Sequence, residues 1–528
     1  MAKEFNTAVT CDPKKHYMVD TTNKMKVFES LIEKQKYFTI SRARQFGKST
    51  SLKWILRNLS DRYLVIPASF ELYSENSWLD DNSFCKYFCD KIIEACANNE
   101  GVIKYWKSAK RTSKIDFDIL SQKITKFCKT CGKKVVITID EVDKASNNEV
   151  FVRFLGMLRN MYIVRDNMED DSYTFWSVVL ASVYDVRNLK VKMRPEQEHQ
   201  LNSPWNVATE YELDMTFNPQ EISTMLAQYE NDYLIGFDIK EISEEIYKYT
   251  SGYPVLVSSV CKIIDERLGK DWTKDGVLNA VKAIVATKTN LSESMTGNLD
   301  KYLDLKALIR AVLMENYTVA FDPNNKTIDF ANMFSIIKRN VENKVEIHNL
   351  IFQQILLNYF ISENDIKIFT NDNIFSNYLT KNGDLNMPLI INRFQDLVRH
   401  SRSRLIKVDE NDDSQKSFLE REGRFMFICF LKPIINGTGF YYSEPETDDG
   451  SRMDLVITYN HKEYIIELKI WHGTEYEISG REQLSEYLTK RNMTEGYLVT
   501  FSFLKEKTVQ EKPEWIEYDG KRIYEAIV

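Results

Sequence analysis

The stretch Tyr37-Phe38-Thr39-Ile40-Ser41-Arg42-Ala43-Arg44-Gln45-Phe46-Gly47-Lys48-Ser49-Thr50 decides how this chain is read. Its first four residues form a short apolar strand. Its last four open a run, Ser49 to Leu59, in which Leu52, Ile55, Leu56 and Leu59 fall on one face of a helix. Strand, loop and helix start are the parts of a phosphate cradle. Loop N–H groups and the positive end of the helix hold the anion, Lys48 neutralises the β/γ oxygens, and Ser49 ligates Mg²⁺. The pattern G-x-x-x-x-G-K-[ST] has Arg42 where its first glycine belongs. The string alone is therefore a weak match, and its strand-loop-helix context strengthens it.

A partner motif follows. Val135-Val136-Ile137-Thr138-Ile139 is a continuous apolar run, expected of a parallel strand buried on both faces, and it ends in Asp140-Glu141-Val142-Asp143. A carboxylate at that edge, Asp140, holds Mg²⁺, usually through water, and the next, Glu141, polarises an attacking water. The alternative is a solvated acidic turn; the cradle upstream favours the ATPase reading. A third strand, Thr174 to Ala181, ends at Ser182, which is either a sensor of the γ-phosphate or simply a polar strand end.

These residues resemble the bacterial AAA-like ATPases related to the signal-transduction ATPases with numerous domains, which carry a degenerate cradle of the form RxRxxGKS/T. The resemblance extends to Phe5-Asn6-Thr7, His16-Tyr17-Met18, Ser182-Val183-Tyr184-Asp185-Val186 and Asn202-Ser203-Pro204-Trp205-Asn206. It implies ATP as the ligand, with Arg44, Gly47, Lys48, Ser49, Thr50 and Asp140 around it, and makes Arg42 the expected residue. Gly252-Tyr253-Pro254 is similar to the G-x-P element of the helical lid in these ATPases, which places Pro254 near the nucleotide. Helical runs over 219–229, 239–250, 254–268 and 272–287 suit such a lid. The helices and short extended runs of 300–362 resemble the winged-helix module of the same ATPases, for which packing within the protein is favoured over DNA binding.

The C-terminal chemistry is read from a hairpin. Arg452 to Tyr459 and Lys462 to Lys469 are two strands joined by Asn460-His461. Setting Tyr459 opposite Lys462 places Asp454 opposite Glu467, with Cβ atoms roughly 4.5–5.5 Å apart on one face. Two such carboxylates share one hard cation. Lys469, two residues beyond Glu467, points to the same face and serves the phosphate or the attacking water. The bland alternative is a charged outer hairpin face. However, Ile465, Ile466, Leu468 and Ile470 leave this strand apolar on both sides, where uncompensated carboxylates are costly. Asp454, Glu467 and Lys469 resemble the second and third motifs of the PD-(D/E)xK nuclease superfamily, in the subgroup fused to AAA-like ATPases. That resemblance implies a catalytic helix residue, Gln483, in Gly480 to Leu488, and a further acidic metal ligand, Glu422, with Glu420 its competitor.

The expected architecture is α/β. It comprises an N-terminal P-loop ATPase core with a parallel sheet (1–215), a helical lid (216–295), a winged-helix-like module (296–365), a helical linker (366–414) and a restriction-endonuclease-like domain (415–528). A length of 528 residues supports several domains, and hydrophobic and aromatic contents of 43% and 12% supply their cores. No apolar run approaches the roughly 20 residues of a membrane span, and Met1 to Phe5 is no signal segment. A cytoplasmic protein without membrane contact is expected. Cys128 and Cys131 form a lone CxxC with no second pair at zinc spacing, whereas Cys85, Cys89 and Cys96 read as one buried helical stripe. A net charge of −7 argues against broad electrostatic attraction to nucleic acid. Contact with DNA, or RNA, must use local basic patches; one candidate is Arg393, Arg399, His400, Arg402, Arg404 and Lys407, which otherwise form a solvated helix face. The expected ligands are ATP, Mg²⁺ (with Mn²⁺ as an alternative at the nuclease site) and DNA, and a homo-oligomer fits the architecture.

Overall fold

The computed structural model describes residues 3–8, 10–43, 45–71, 75–145, 148–183, 205, 214–314, 318–363, 378–405, 423–424, 426–432, 434–435, 439–442, 455–460, 462–470, 474–502 and 513–528. The chain divides into two compact units, Met1–Val277 with Met333–Ser335, and Leu278–Asn332 with Ile336–Val528. No helix among the described residues is long and apolar enough to cross a membrane.

The first unit begins with α1 (Thr22–Glu33), β1 (Phe38–Ser41), α2 (Lys48–Leu59) and β2 (Leu64–Ser69). Three helices, α3 (Asp81–Ala95), α4 (Glu100–Lys110) and α5 (Phe117–Thr130), lead to β3 (Val135–Asp140); α6 (Glu149–Met168) leads to β4 (Ser177–Ser182). Each helix from α3 to α6 starts at an Asp or Asn whose side chain accepts a hydrogen bond from a first-turn N–H: Asp80, Asn99, Asp116 and Asn148. Each such cap is worth about 1 kcal/mol and fixes where the loop stops. The four strands are parallel in the order β1-β4-β3-β2, and β4 is buried along its whole length. Sandwiching explains its unbroken apolar sequence. Ile137 and Ile139 face a core shared with Phe84, Phe88, Phe127, Phe151 and Phe154, while α2 packs on the other side of β2, β3 and β4. Cys85 and Cys89 are buried in α3 beside that core, and Cys96 caps the helix, so the expected stripe forms; all eight cysteines are free thiols.

A helical group follows: α7 (Pro219–Tyr233), α8 (Ile239–Thr250), α9 (Pro254–Arg267) and α10 (Lys274–Ala286). Asn218 and Glu221 form a reciprocal capping box at α7, with Pro219 in the first turn. Between α8 and α9 the chain turns at Gly252, whose φ is +70° and whose carbonyl accepts from Phe217 N–H at 2.8 Å. A Cβ there would lie 2.0 Å from the Phe217 carbonyl oxygen, so no other residue fits.

The second unit contains α11 (Asn290–Lys301), α12 (Leu303–Met314) and α13 (Lys326–Met333), the ribbon β5 (Ile337–Arg339) with β6 (Val345–Ile347), and α14 (Leu350–Glu363). Thr327 to Phe330 belongs to helix α13. Helix α15 (Met387–Leu405) carries the basic run, of which Arg393 lies 3.9 Å from Asp396 on an exposed face. A mixed six-stranded sheet completes the unit: β7 (Gly439–Tyr442), β8 (Leu455–Tyr459), β9 (Lys462–Ile470), β10 (Glu495–Phe501), β11 (Glu514–Tyr518) and β12 (Lys521–Ile527), in the order β11-β12-β10-β9-β8-β7. β7, β8 and β9 form an antiparallel meander, and α16 (Thr474–Lys490) then crosses over so that β10 runs parallel to β9. Leu484, Tyr487 and Leu488 of α16 pack on Val456, Ile465, Leu498 and Ile523.

Candidate functional site

In the first unit the cradle residues gather at the C-terminal edge of a parallel sheet, where open α/β sheets bind their ligands. Gly47 is the N-cap of α2 with φ +81°, and Gln45 is also left-handed at φ +61°. Nothing lies within 4 Å of a Cβ built on Gly47, so its requirement is conformational rather than steric. The turn aims the α2 N-terminus, with Lys48, Ser49 and Thr50 in its first turn, at the loop mouth. Lys48 Nζ donates to the Arg42 and Ala43 carbonyls, each at 2.9 Å, which sets the ammonium inside the loop. Arg42 N–H donates to the Ser182 carbonyl at 3.2 Å. The side chain at the substituted glycine position therefore leaves the loop tied to β4.

Because β4 lies between β1 and β3, the cradle strand and the acidic strand are two strand spacings apart, roughly 9–10 Å. Ser182 pairs with Ser41 in register, and their hydroxyls are 3.4 Å apart. Asp140 ends β3, and its Oδ1 accepts from Glu141 N–H at 2.9 Å. Glu141 itself is left-handed, at φ +57°. Such a conformation in a non-glycine residue costs on the order of 1 kcal/mol and re-aims the side chain beyond the strand end. The donor set suits a magnesium–nucleotide: a helix N-terminus and lysine for phosphates, hydroxyl and carboxylate oxygens for a hard cation.

Two sets of contacts around the cradle join residues whose connection is not visible in the sequence. Phe46, only 3% exposed, stands edge-on to the buried Tyr253 ring, centroids 4.6 Å apart and planes at 70°. Burial pushes the Tyr253 phenol well above its ordinary pKa. Pro254 occupies the first turn of α9 and is buried there, directly after Tyr253, whose ring meets Phe46 of the cradle loop. The N-terminal segment makes the second set. Cys11 N–H donates to Thr50 Oγ1 at 3.3 Å, Asp12 pairs with Arg57 at 3.0 Å, and Phe5 and Tyr17 stack among Tyr229 and Trp272. Aromatic clustering at a chain start is visible in sequence; its partners over 200 residues away are not.

In the second unit the hairpin register is the expected one, from Tyr459 opposite Lys462 to Leu455 opposite Ile466. Glu467 is 1% exposed, and its Oε1 lies 2.8 Å from Lys469 Nζ. Both lie on the face that α16 covers, as the strand alternation from Ile465 requires. Gly480 lets α16 come close: a Cβ there would be 3.2 Å from Leu498 and 3.4 Å from Lys469 Cγ. Gln483 is on the same helix, and its Oε1 is buried without a hydrogen-bond partner. Among the described residues no three His, Cys, Asp or Glu side chains cluster as a metal site. Arg44, Glu420, Glu422 and Asp454 lie outside the described residues, as do Tyr184 to Val186, Asn202 to Pro204, Asn206 and Lys407. A buried carboxylate, an adjacent ammonium and an unsatisfied amide oxygen are donors that fit a hard cation beside a phosphate.

A parallel sheet whose cradle strand and acidic strand flank an inserted third, with Gly47-Lys48-Ser49-Thr50 opening the helix behind it, defines the first unit as a P-loop ATPase fold. The chain belongs to the AAA-like domain family, whose model matches residues 8–355. Among solved structures it is similar to a Walker-type ATPase of Pyrococcus abyssi, at 12% identity over 67% of this chain and 99% of that one, with a TM-score of 0.44. It is also similar to the ORC2 protein of Aeropyrum pernix in its ADPNP–ADP complexes, at 11% identity over 68% and 97% of the chains, with a TM-score of 0.37. The ORC1 protein of the same organism in complex with DNA matches at 10% identity over 68% and 95%, with a TM-score of 0.29. No curated protein gives a significant match.

Proposed function

We propose that the first unit binds and hydrolyses ATP and that the second cleaves nucleic-acid phosphodiesters with a divalent cation. Support for the first half is the convergence of Lys48, Ser49, Asp140, Glu141 and Ser182 at one sheet edge within an AAA-like family member. Lys48 carries the positive charge at the β/γ oxygens, and the α2 N-terminus supplies N–H donors. Ser49 and Asp140 hold Mg²⁺. Glu141 orients the attacking water and accepts its proton. The Phe46–Tyr253 contact ties the loop to the residues before α9, so nucleotide in the loop is felt by the helical group that serves as a lid.

The observation that carries the second half is the buried Glu467–Lys469 pair under α16. Its setting, a three-stranded antiparallel meander followed by a helix and a parallel strand, suits a restriction-endonuclease-like domain. Mg²⁺ or Mn²⁺, when bound, supplies charge to the phosphate and acidifies a water. Glu467, with Asp454 and Glu422, holds the cation; Lys469 stabilises charge developing on the phosphate; Gln483 positions the water or the cation. The ribbon β5–β6 with α11 to α14 serves as the winged-helix-like module, packing within the protein. A cytoplasmic role against foreign DNA, RNA as a second substrate and assembly of several copies extend this reading from family architecture alone.

The test is cleavage of DNA and RNA, with and without ATP, in Mg²⁺ and Mn²⁺, alongside ATP turnover. Glu141→Gln is expected to retain nucleotide binding and slow hydrolysis about 10²-fold or more. Unchanged turnover in that variant overturns the ATPase assignment. Wild-type protein that hydrolyses ATP yet cuts nothing favours a nucleotide-gated switch whose second unit binds nucleic acid or protein without cleavage.

A further inference from the structure

The face of the second sheet beneath α16 holds two buried carboxylates, not one. Glu525 on β12 and Glu467 on β9 share the register of Leu498 on β10, which lies between them. Each has its own cation: Lys469 Nζ at 2.8 Å from Glu467 Oε1, and Arg481 Nη2 at 2.7 Å from Glu525 Oε2. The side chain of Glu525 is 5% exposed and that of Arg481 26% exposed. The surrounding positions, Leu484, Leu488, Leu498 and Ile523, are apolar. A carboxylate there costs more than an apolar side chain of similar volume, and an ion pair seldom repays that cost in stability. Glu525 therefore needs another reason to be in place.

Arg481 supplies one. Its Nη2 is held by Glu525, and its Nε is buried without a partner. Nη1 is thus the guanidinium nitrogen left towards solvent, with its orientation fixed from below. Glu467 and Glu525 are two strand spacings apart, roughly 10 Å between backbones. A nucleic-acid strand rises about 3.4 Å per phosphate, so the separation of the two carboxylates spans about three phosphates, and a backbone laid across this edge brings a nearby phosphate within reach of Arg481. Thr500 Oγ1 on β10, in register with Lys469, and Ser502 Oγ just after the strand are also buried without partners, so unsatisfied polar atoms continue beyond the Glu467–Lys469 pair. We propose that Arg481, oriented by Glu525, binds a backbone phosphate about three along the strand from the one presented to Glu467 and Lys469. Arginine suits the task because its rigid fork keeps one nitrogen for the carboxylate and offers another to the phosphate. Arg481 is a binding residue and Glu525 a positioning residue. The inference rests on the nucleic-acid reading of the second unit.

The experiment measures binding of labelled single- and double-stranded DNA and RNA to the full chain, in Ca²⁺ to prevent cleavage, as a function of salt. Arg481→Gln is expected to weaken binding about tenfold and to lower the slope of log affinity against log salt by about one. Arg481→Lys is expected to recover the slope, because it keeps a cation, and Glu525→Gln to keep it, because Arg481 remains. Arg481→Gln with wild-type affinity and slope, or with a lowered melting temperature as its sole effect, overturns the proposal. So does Arg481→Lys that melts like wild type without recovering the slope. If wild type binds but never cuts in Mg²⁺ or Mn²⁺, while Arg481→Gln loses the slope, the phosphate contact stands and the nuclease reading falls. If wild type cuts and Arg481→Gln binds and cuts equally well, the reverse holds. No binding of any nucleic acid by wild type overturns both.

Discussion

The loop at Gly47 and the pair at Glu467, the two places proposed to meet a phosphate, are built in opposite ways. The first is mostly backbone: a left-handed glycine, a helix start and a lysine, all within a few residues of sequence. It tolerates arginine at position 42 because the loop's hold on β4 is a main-chain bond. The second is all side chains, brought together from β9, α16 and β12, and because its carboxylates are buried each is matched by a cation. A backbone site is sensitive to conformation, whereas a side-chain site is sensitive to charge.

The largest expected effect tests the charge side. Glu467→Ala removes the buried metal carboxylate and is expected to lower metal-dependent cleavage about 10⁴-fold, several kcal/mol of stabilisation, with ATP turnover within about twofold of wild type. Parallel loss of both activities breaks the separation of the two sites. Next, Lys48→Ala takes from the backbone site the cationic side chain that the Arg42 and Ala43 carbonyls hold inside the loop. ATP hydrolysis is expected to fall about 10³-fold, comparable to loss of a donor to a developing anion; turnover near wild type removes Lys48 from the mechanism. Conformation is tested by Gly252→Ala, for which destabilisation of about 3 kcal/mol or more is expected, since a Cβ would strike the Phe217 carbonyl at a left-handed position. An unshifted melting curve means the turn is not needed. The smallest effect belongs to Phe46→Ala: nucleotide affinity about fivefold weaker, read by titration, with cleavage in the absence of ATP unchanged. Equal affinity means the ring does not link loop and lid.

Legibility in the sequence follows the same division. Local signals survived: the apolar strand before the cradle, the unbroken Val135 to Ile139, and the helices of 219–286 with their Asn, Asp, Pro and Gly punctuation, most within a residue or two of their ends. The C-terminal hairpin was legible because a two-residue turn fixes every cross-strand pair. What escaped was long-range. Nothing near Tyr253 announces Phe46, and nothing near Arg481 announces Glu525, 44 residues on. Arg165 is another case: it is buried at 2% and donates to the carbonyls of Phe175, Trp176 and Gln35, so that it braces the sheet edge. In sequence it reads as one more charge on a helix. Strand order was equally hidden, because apolar runs do not say which of them lie side by side.

That order has a consequence for how the protein is made. Among the described strands β1 has one neighbour, β4, which is synthesised about 140 residues later. At roughly 5–20 residues per second a ribosome takes about seven to thirty seconds to supply it. For the last part of that interval β2 and β3 have each other, whereas the strand leading into the cradle has helix packing, Phe28 of α1 on Phe38, but lacks its ladder partner. A nascent chain stalled before Ser177 therefore has the cradle strand without its β4 partner, and the parallel sheet behind the cradle closes only once β4 has left the ribosome.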